Sequence, residues 1–453
     1  MKRLLFALLT LFTLTLVGGA LFLRFALGIP VLSPAAVFDL AGGMAAKLGC
    51  SARYITGLSP AQVKADLASY SGLLELVSIT NDDTNTQVSA RLPPGRSHSA
   101  TFREGLGCSL DIGNTDALDR LALPAAVARR QTNLGLANPL LASQLNQDNA
   151  AGLQTRALLI MSNGQTVGEA YAPGFDESSQ HLGWSMGKSL ISLLFGRLEM
   201  KTGLSVAETA LFPAWDDERR DISIEHLLHM SSGLGFNETY LPGSDATRML
   251  FNAYSASAVA LEKPSAHPPG TRFAYSSGTT NLLSRLLFER VGGTPAGAYE
   301  FLHKELLAPL GLAHTIVEPD PSGVFVGSSY VYATAKDWAQ LGQLMVAGGM
   351  HAGERLLSAD WVRRATQPNS SGNEPRYGYQ FWLNAGGDEL RWPDLPADAF
   401  AMQGNREQIV MMIPSRNLVL VRLGWSAVRY PYNATFAKLL SAISADANNG
   451  LNL

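Results

Sequence analysis

The chain of 453 residues carries two strand–turn–strand patterns far apart, with helical patterning between them. The first, RALLIMSNGQTVGEAYA (156–172), is two apolar runs around Asn163-Gly164. That dipeptide accepts the left-handed backbone of a two-residue hairpin turn and is the strongest short hairpin signal. The second pairs QIVMMI (408–413) with LVLVRLGW (418–425) around Pro414-Ser415-Arg416-Asn417. Between them, SMGKSLISLLFGRLEMKTG (185–203) has apolar residues at 190, 191, 193, 194 and 195 and closes at Gly203. That is the pattern of a buried helix with a glycine stop. SIEHLLHMSSGLG (223–235), TNLLSRLLFERVGG (280–293) and AKDWAQLGQLMVAGG (335–349) also carry helical spacing, and NATFAKLLSAISAD (433–446) predicts a final helix. Strands at both ends and helices in the middle predict an α+β domain. Its antiparallel sheet is assembled from both ends, flanked by helices, and interrupted by a helical subdomain.

Residues 35–120 read as a small separate module, a two-layer α+β cap. SPAQVKADLASY (59–70) opens with a Ser-Pro helix entry. LLELVSI (73–79) and TQVSARL (86–92) are strand-like, with Asn81-Asp82-Asp83 as the turn and Pro93-Pro94-Gly95 as the stop. Residues 121–153, rich in Ala, Leu and Asn, read as a connector of short helices. The expected division is a leader at 1–29, the module and its connector at 30–150, and the main domain at 151–453.

The leader carries a membrane signal. Lys2 and Arg3 precede an uncharged run from Leu4 to Leu23, closed by Arg24. Twenty helical residues rise ~30 Å, about the thickness of a bilayer's hydrocarbon core. The leading cations place the N-terminus in the cytoplasm and the remainder outside. Residues 4–23 are therefore expected either to stay in the lipid bilayer as an anchor or to be removed as a signal peptide near Val17-Gly18-Gly19-Ala20. Both readings give an extracytoplasmic protein, periplasmic in a Gram-negative source. An oxidising compartment favours pairing of the only two cysteines, Cys50 and Cys108. A bridge between them is worth ~4 kcal/mol in the chain-entropy model. A net charge of −3 offers no basic excess for a phosphate backbone, so no nucleic-acid partner is expected. Two cysteines cannot build a four-cysteine zinc site. His226 and His229 lack a third ligand in a zinc pattern and read as a structural pair, so no metal is expected.

Ser185-Met186-Gly187-Lys188 is the centre of the chemistry. Serine and lysine three apart at a helix start lie on one face, so the amine can reach the hydroxyl. A serine hydroxyl is a poor nucleophile until a neighbouring base takes its proton. Lys188 is the only lysine in the chain with serine three residues before it. The second element is Phe273-Ala274-Tyr275-Ser276-Ser277-Gly278, where a Ser/Gly-rich turn presents the Tyr275 phenol. The third is Met402-Gln403-Gly404-Asn405-Arg406-Glu407-Gln408, where glycine lets one backbone approach another closely.

Together and in this order, the three segments resemble the motif set of the serine β-lactamase and penicillin-binding-protein superfamily: S-x-x-K, a Tyr- or Ser-led triplet, then K-T-G or a relative. The likeness is closer to the class C β-lactamase-like hydrolases, including 6-aminohexanoate-dimer hydrolase and related esterases. The segments from Ile222 to Leu234, Asp337 to Gly349, Tyr377 to Trp382 and Ile413 to Gly424 are similar to that subgroup too, so the resemblance covers about 150–445. It implies a β-lactamase-like fold, with Ser185 as the nucleophile of an acyl-enzyme and Lys188 and Tyr275 sharing general-base and general-acid duty. Ser277 would hold the lysine or the substrate. The backbone N–H groups of Ser185 and Asn405, the latter placed by aligning Gly404 with the glycine of K-T-G, would receive the oxyanion. A phenol beside an ammonium is expected to lean toward phenolate.

One departure matters. No K-T-G exists, because the only lysine after Lys336 is Lys438; Met402 and Gln403 stand where a cation and a hydroxyl often bind a substrate carboxylate. Arg406 is the available replacement charge. The departure favours an esterase or amidase acting on a small-molecule ester or amide, with no cofactor, over a β-lactamase or D-peptidase. A silent penicillin-binding-like sensor or binding protein is the alternative from another class. Gly183-Trp184-Ser185-Met186-Gly187 also matches the G-x-S-x-G elbow of α/β-hydrolases, but no buried strand precedes it and no βα alternation follows.

Overall fold

The computed structural model describes residues 34–127 and 138–448, with the isolated positions 10, 15 and 18. Most of the expected membrane segment 4–23 lies outside the described residues. Among the described residues no helix is long and apolar enough to cross a membrane.

The two hairpins predicted from the ends of the main domain meet in one six-stranded antiparallel sheet. Its spatial order is Trp382–Leu383, Phe400–Gly404, Gln408–Ile413, Leu418–Gly424, Thr155–Ser162, Gln165–Tyr171. The join between the ends is the pairing of Leu418–Gly424 with Thr155–Ser162, in register from Leu418↔Ser162 to Leu423↔Ala157. Asn163 and Gly164 adopt φ 49° and 75°, the left-handed turn that their residue types permit. Both faces of the sheet are covered, which is why QIVMMI is buried at every position, and apolar from Ile409 on, instead of alternating. On one face Leu159, Met161, Val410, Met412, Val419 and Val421 join a core with the Met186–Thr202 and Ala335–Val346 helices. On the other, Leu158, Ile160, Ile409 and Met411 pack against Leu141 and Leu145 of the Pro139–Ala150 helix and Phe436 and Leu439 of the Tyr432–Asn448 helix. The Pro139–Ala150 helix, read from sequence as connector, is thus a layer of the main domain. The helical middle supplies Ser277–Arg290 and several shorter helices.

The N-terminal unit is a four-stranded antiparallel meander, Ser78–Asp82, Gln87–Arg91, Ser97–Arg103 and Gly107–Leu110, covered by the Pro34–Tyr54 helix. The Ser59-Pro60 entry forms a complete capping box with Gln62. Two local expectations change. Residues 72–75 form a helical turn capped by the Ser71 hydroxyl, and the first strand starts only at Ser78 and runs through Asp82. Leu73 and Leu74 still pack into the buried apolar cluster from that turn, so an apolar run alone did not distinguish the two geometries. Cys50 and Cys108 are joined, with Cα atoms 6.1 Å apart, tying the long helix to the last strand.

The unit has no core of its own. Its buried residues continue into Leu182, Trp184, Met249, Leu250, Tyr330, Tyr332 and Trp425 of the main domain. A buried ion pair crosses the same boundary. Lys47 meets Glu318, and Glu318 Oε1 also accepts from the Ser51 hydroxyl (2.7 Å) and the Cys108 N–H (2.6 Å). Burial pushes the Glu318 carboxyl up and the Lys47 amine down, while each partner's charge opposes that shift.

Candidate active site

The Met186–Thr202 helix starts beside the sheet, and Ser185 is its N-cap residue. The chain enters through Trp184 at φ 49°, a left-handed conformation strained for a bulky residue. One helical turn on, Lys188 is buried. Its Nζ lies 2.9 Å from Ser185 Oγ, 3.0 Å from Ser277 Oγ and 2.9 Å from the Ser328 carbonyl oxygen. The phenol of Tyr275 stands close enough to Ser185 for the serine to favour its ionised form. The Tyr275 ring is stacked on Trp382 (centroids 5.3 Å, planes 20° apart) and set edge-on to the buried Tyr377. Lys188 Nζ stands 4.8 Å from the centroid of the same ring. The phenol, distant in sequence, is therefore brought to the neighbouring hydroxyl and amine, with Ser277 as the lysine's second partner.

Glu238 completes the group and carried no sequence signal. It lies in the polar loop after Phe236, and its Oε2 accepts from the Ser277 N–H at 2.7 Å. Its Oε1 accepts from the Ser277 hydroxyl at 2.5 Å and from the Tyr240 hydroxyl at 2.8 Å. A carboxylate only accepts, so Ser277 spends its proton on Glu238 and receives from Lys188. The Ser328 carbonyl also only accepts. Two of the three directions around Lys188 Nζ are therefore donor directions, and the third faces Ser185. A neutral amine in this seat aims its lone pair at the Ser185 proton.

The electrostatics agree with that assignment. Burial pushes the Lys188 amine down to about 8, with the Glu238 carboxylate pulling the other way. Tyr275 moves upward: burial dominates, Ser185 opposes it, and the charge of Glu238 reinforces it. The expected lean toward phenolate is thus reversed, because desolvation of the phenol, reinforced by the Glu238 charge, outweighs the influence of Ser185. The arrangement can take a proton at Lys188 and give one at Tyr275.

Gly404 ends the Phe400–Gly404 strand against the turn before Ser185. A Cβ there would lie 2.0 Å from the Gly183 carbonyl oxygen, so only glycine allows this approach. Asn405 follows it, exposed, at the edge of the same turn. Met402 is fully buried and Gln403 half-buried. Arg406 is buried with its guanidinium 3.6 Å from the centroid of the Tyr70 ring, so it does not stand free as a replacement for the missing K-T-G cation.

The elbow reading fails on architecture, since every strand pairing in the six-stranded sheet is antiparallel. His226 completes a capping box with Ser223, and His229 packs against the Tyr379 ring at 4.7 Å. Among the described residues no group of three His, Cys, Asp or Glu side chains is placed to hold a metal ion.

Comparison with known proteins agrees with this architecture. A 6-aminohexanoate-dimer hydrolase from Paenarthrobacter ureafaciens is 27% identical over 227 residues, 46% of this chain and 56% of that protein, so the chain spans little more than half the length of this curated relative. A provisionally named 6-aminohexanoate-dimer hydrolase from Bacillus anthracis superposes with a TM-score of 0.57 at 20% identity, over 85% of this chain and 95% of that one. A family VIII carboxylesterase superposes with a TM-score of 0.51 at 12% identity, over 66% of this chain and 94% of that one. The Beta-lactamase family matches residues 141–431. With that match covering well over half of its length, the chain belongs to the Beta-lactamase family, within the β-lactamase and penicillin-binding-protein superfamily of serine hydrolases.

Proposed function

We propose that the protein hydrolyses small esters or linear amides through an acyl-enzyme on Ser185. The observation that carries the reading is the seat of Lys188: a buried amine lowered to about 8, with Ser185 Oγ at 2.9 Å and its other partners already committed. Ser185 Oγ bonds to the substrate carbonyl carbon as its proton passes to Lys188. The carbonyl oxygen, now an anion, is received by the N–H groups of Ser185 and Asn405. Tyr275 gives its proton to the departing alkoxide or amine and is reprotonated from Lys188. Water then attacks the acyl carbon by the same route and Ser185 leaves with its proton restored.

Residues 402 and 403 offer no cation and Arg406 is occupied by Tyr70, which favours substrates without a carboxylate anchor over β-lactams and D-amino peptides. The aromatic wall of Tyr275, Trp382 and Phe273 suits an apolar acyl or leaving group. We further propose that the protein is exported and held at the bilayer by residues 4–23. Extraction that succeeds without detergent, with an N-terminus beginning past residue 20, would replace the anchor by a cleaved signal.

The test is steady-state assay of the purified protein on a chromogenic short-chain ester, beside a linear amide, a D-amino peptide and a β-lactam. Continuous ester turnover that Ser185→Ala abolishes is expected. A single stoichiometric burst would identify an acylated sensor, and turnover that survives Ser185→Ala would refute the mechanism.

A further inference from the structure

We propose that Tyr70, from the N-terminal unit, is a positioning residue for the oxyanion donors, an inference resting on the roles of Ser185 and Asn405 given above. Two strained backbone segments flank those donors. Trp184, just before Ser185, has φ 49°, and Arg406 and Glu407, just after Asn405, have φ 60° and 64°. Such conformations persist only where the surroundings over-determine them. The segments touch through Gly404 and the Gly183 carbonyl. Their relative placement therefore sets the spacing of the two N–H groups.

The Tyr70 ring touches both. It lies edge-on to Trp184 (6.2 Å, 73°) and carries the Arg406 guanidinium on its face at 3.6 Å. Its hydroxyl donates to Asn405 Oδ1 at 3.4 Å. Trp425 closes the far side, edge-on to Tyr70 at 5.7 Å, with its indole N–H given to the Asp66 carbonyl. Below, Arg422 donates to the carbonyls of Arg406 (3.1 Å) and Glu407 (2.7 Å). Arg422 holds the turn from the sheet side, and Tyr70 holds it from the other. Tyr70 also locks the turn to the residue before the nucleophile. The N-terminal unit thus supplies part of the active-site framework.

The test uses the full-length protein with Tyr70→Leu, Tyr70→Phe and Arg406→Met, which breaks the same stack from the other side. Each is assayed for ester turnover and for affinity toward phenylboronic acid, whose boron takes the Ser185 oxygen and presents a tetrahedral oxygen to the oxyanion donors. Tyr70→Leu and Arg406→Met are expected to lower kcat by about 10-fold or more with KM within about 2-fold, and to weaken the boronate by the same factor as kcat. Tyr70→Phe, which keeps the ring, is expected to retain most of both. Unchanged kcat in the stack variants overturns the inference, as does a kcat loss with unchanged boronate affinity. Arg406→Met decides alone should Tyr70→Leu not fold. If Ser185→Ala keeps its activity, the reading of the site itself has failed. If Ser185→Ala is inactive and the stack variants are normal, only the role of Tyr70 has failed.

Discussion

Because a carboxylate can only accept hydrogen bonds, Glu238 fixes the direction of the Ser277 proton beside Lys188, and its charge also raises the lysine's affinity for a proton. The activity of the wild type is expected to rise with pH through about 8, as Lys188 becomes neutral. Glu238→Gln removes the charge that favours the ammonium, so the acidic limb of kcat/KM should move to lower pH. The maximal rate should fall about 10-fold or more, since Ser277 no longer aims its proton away from the lysine. A pH–rate profile checks both signs; an unmoved limb would exclude the proposed coupling. Glu238 was not legible in the sequence for a physical reason. An acid in the polar loop Asn237-Glu238-Thr239-Tyr240 looks solvated, and only the tertiary approach of Ser277 gives it a partner. Ser185, Lys188 and Tyr275 were legible because helix spacing and a Ser/Gly turn state local geometry.

At the scale of elements, what could be read followed the range of the interaction. The Asn163-Gly164 hairpin, the Ser59 cap and the Gly203 stop are local and were visible. The Phe400–Gly404 strand and the Ser97–Arg103 strand are defined by their partners across the sheet, and were not. The Lys47–Glu318 pair is of the second kind, joining the Pro34–Tyr54 helix to a loop far along the chain. Truncating one member strands the other's charge in the interior. Lys47→Met is therefore expected to destabilise by ~3–5 kcal/mol, whereas Lys47→Met with Glu318→Gln should recover much of that loss. Urea unfolding of the two variants gives the comparison. A single variant as stable as the wild type would mean that Glu318 finds water or takes up a proton instead.

For the whole molecule, the decisive fact is that the N-terminal unit and the hydrolase domain share one core. Sequence suggested a separable module, since the composition shifts near residue 120 and the motif set begins only later. Yet Trp184 and Trp425 are 5% and 7% exposed against residues of that unit, Arg156 grips Asp66 through one nitrogen at 2.6 Å to both carboxylate oxygens, and the Asp66 carbonyl holds the Trp425 indole. Two bodies that bury each other's aromatic rings have no independent folded state of comparable stability. Unfolding should therefore be one cooperative transition. Tryptophan fluorescence, sensitive to Trp184 and Trp425 at the boundary, and far-ultraviolet ellipticity, weighted toward the main domain's helices, should share a single midpoint in urea. The Cys50→Ala/Cys108→Ala double variant extends the argument. The bridge closes a loop wholly inside the N-terminal unit, so in two independent bodies its loss would shift only that unit's transition. In one cooperative body it lowers the stability of everything, by ~4 kcal/mol, and moves both probes together. Two separated midpoints, in either protein, would show that the shared core is too weak to couple the units.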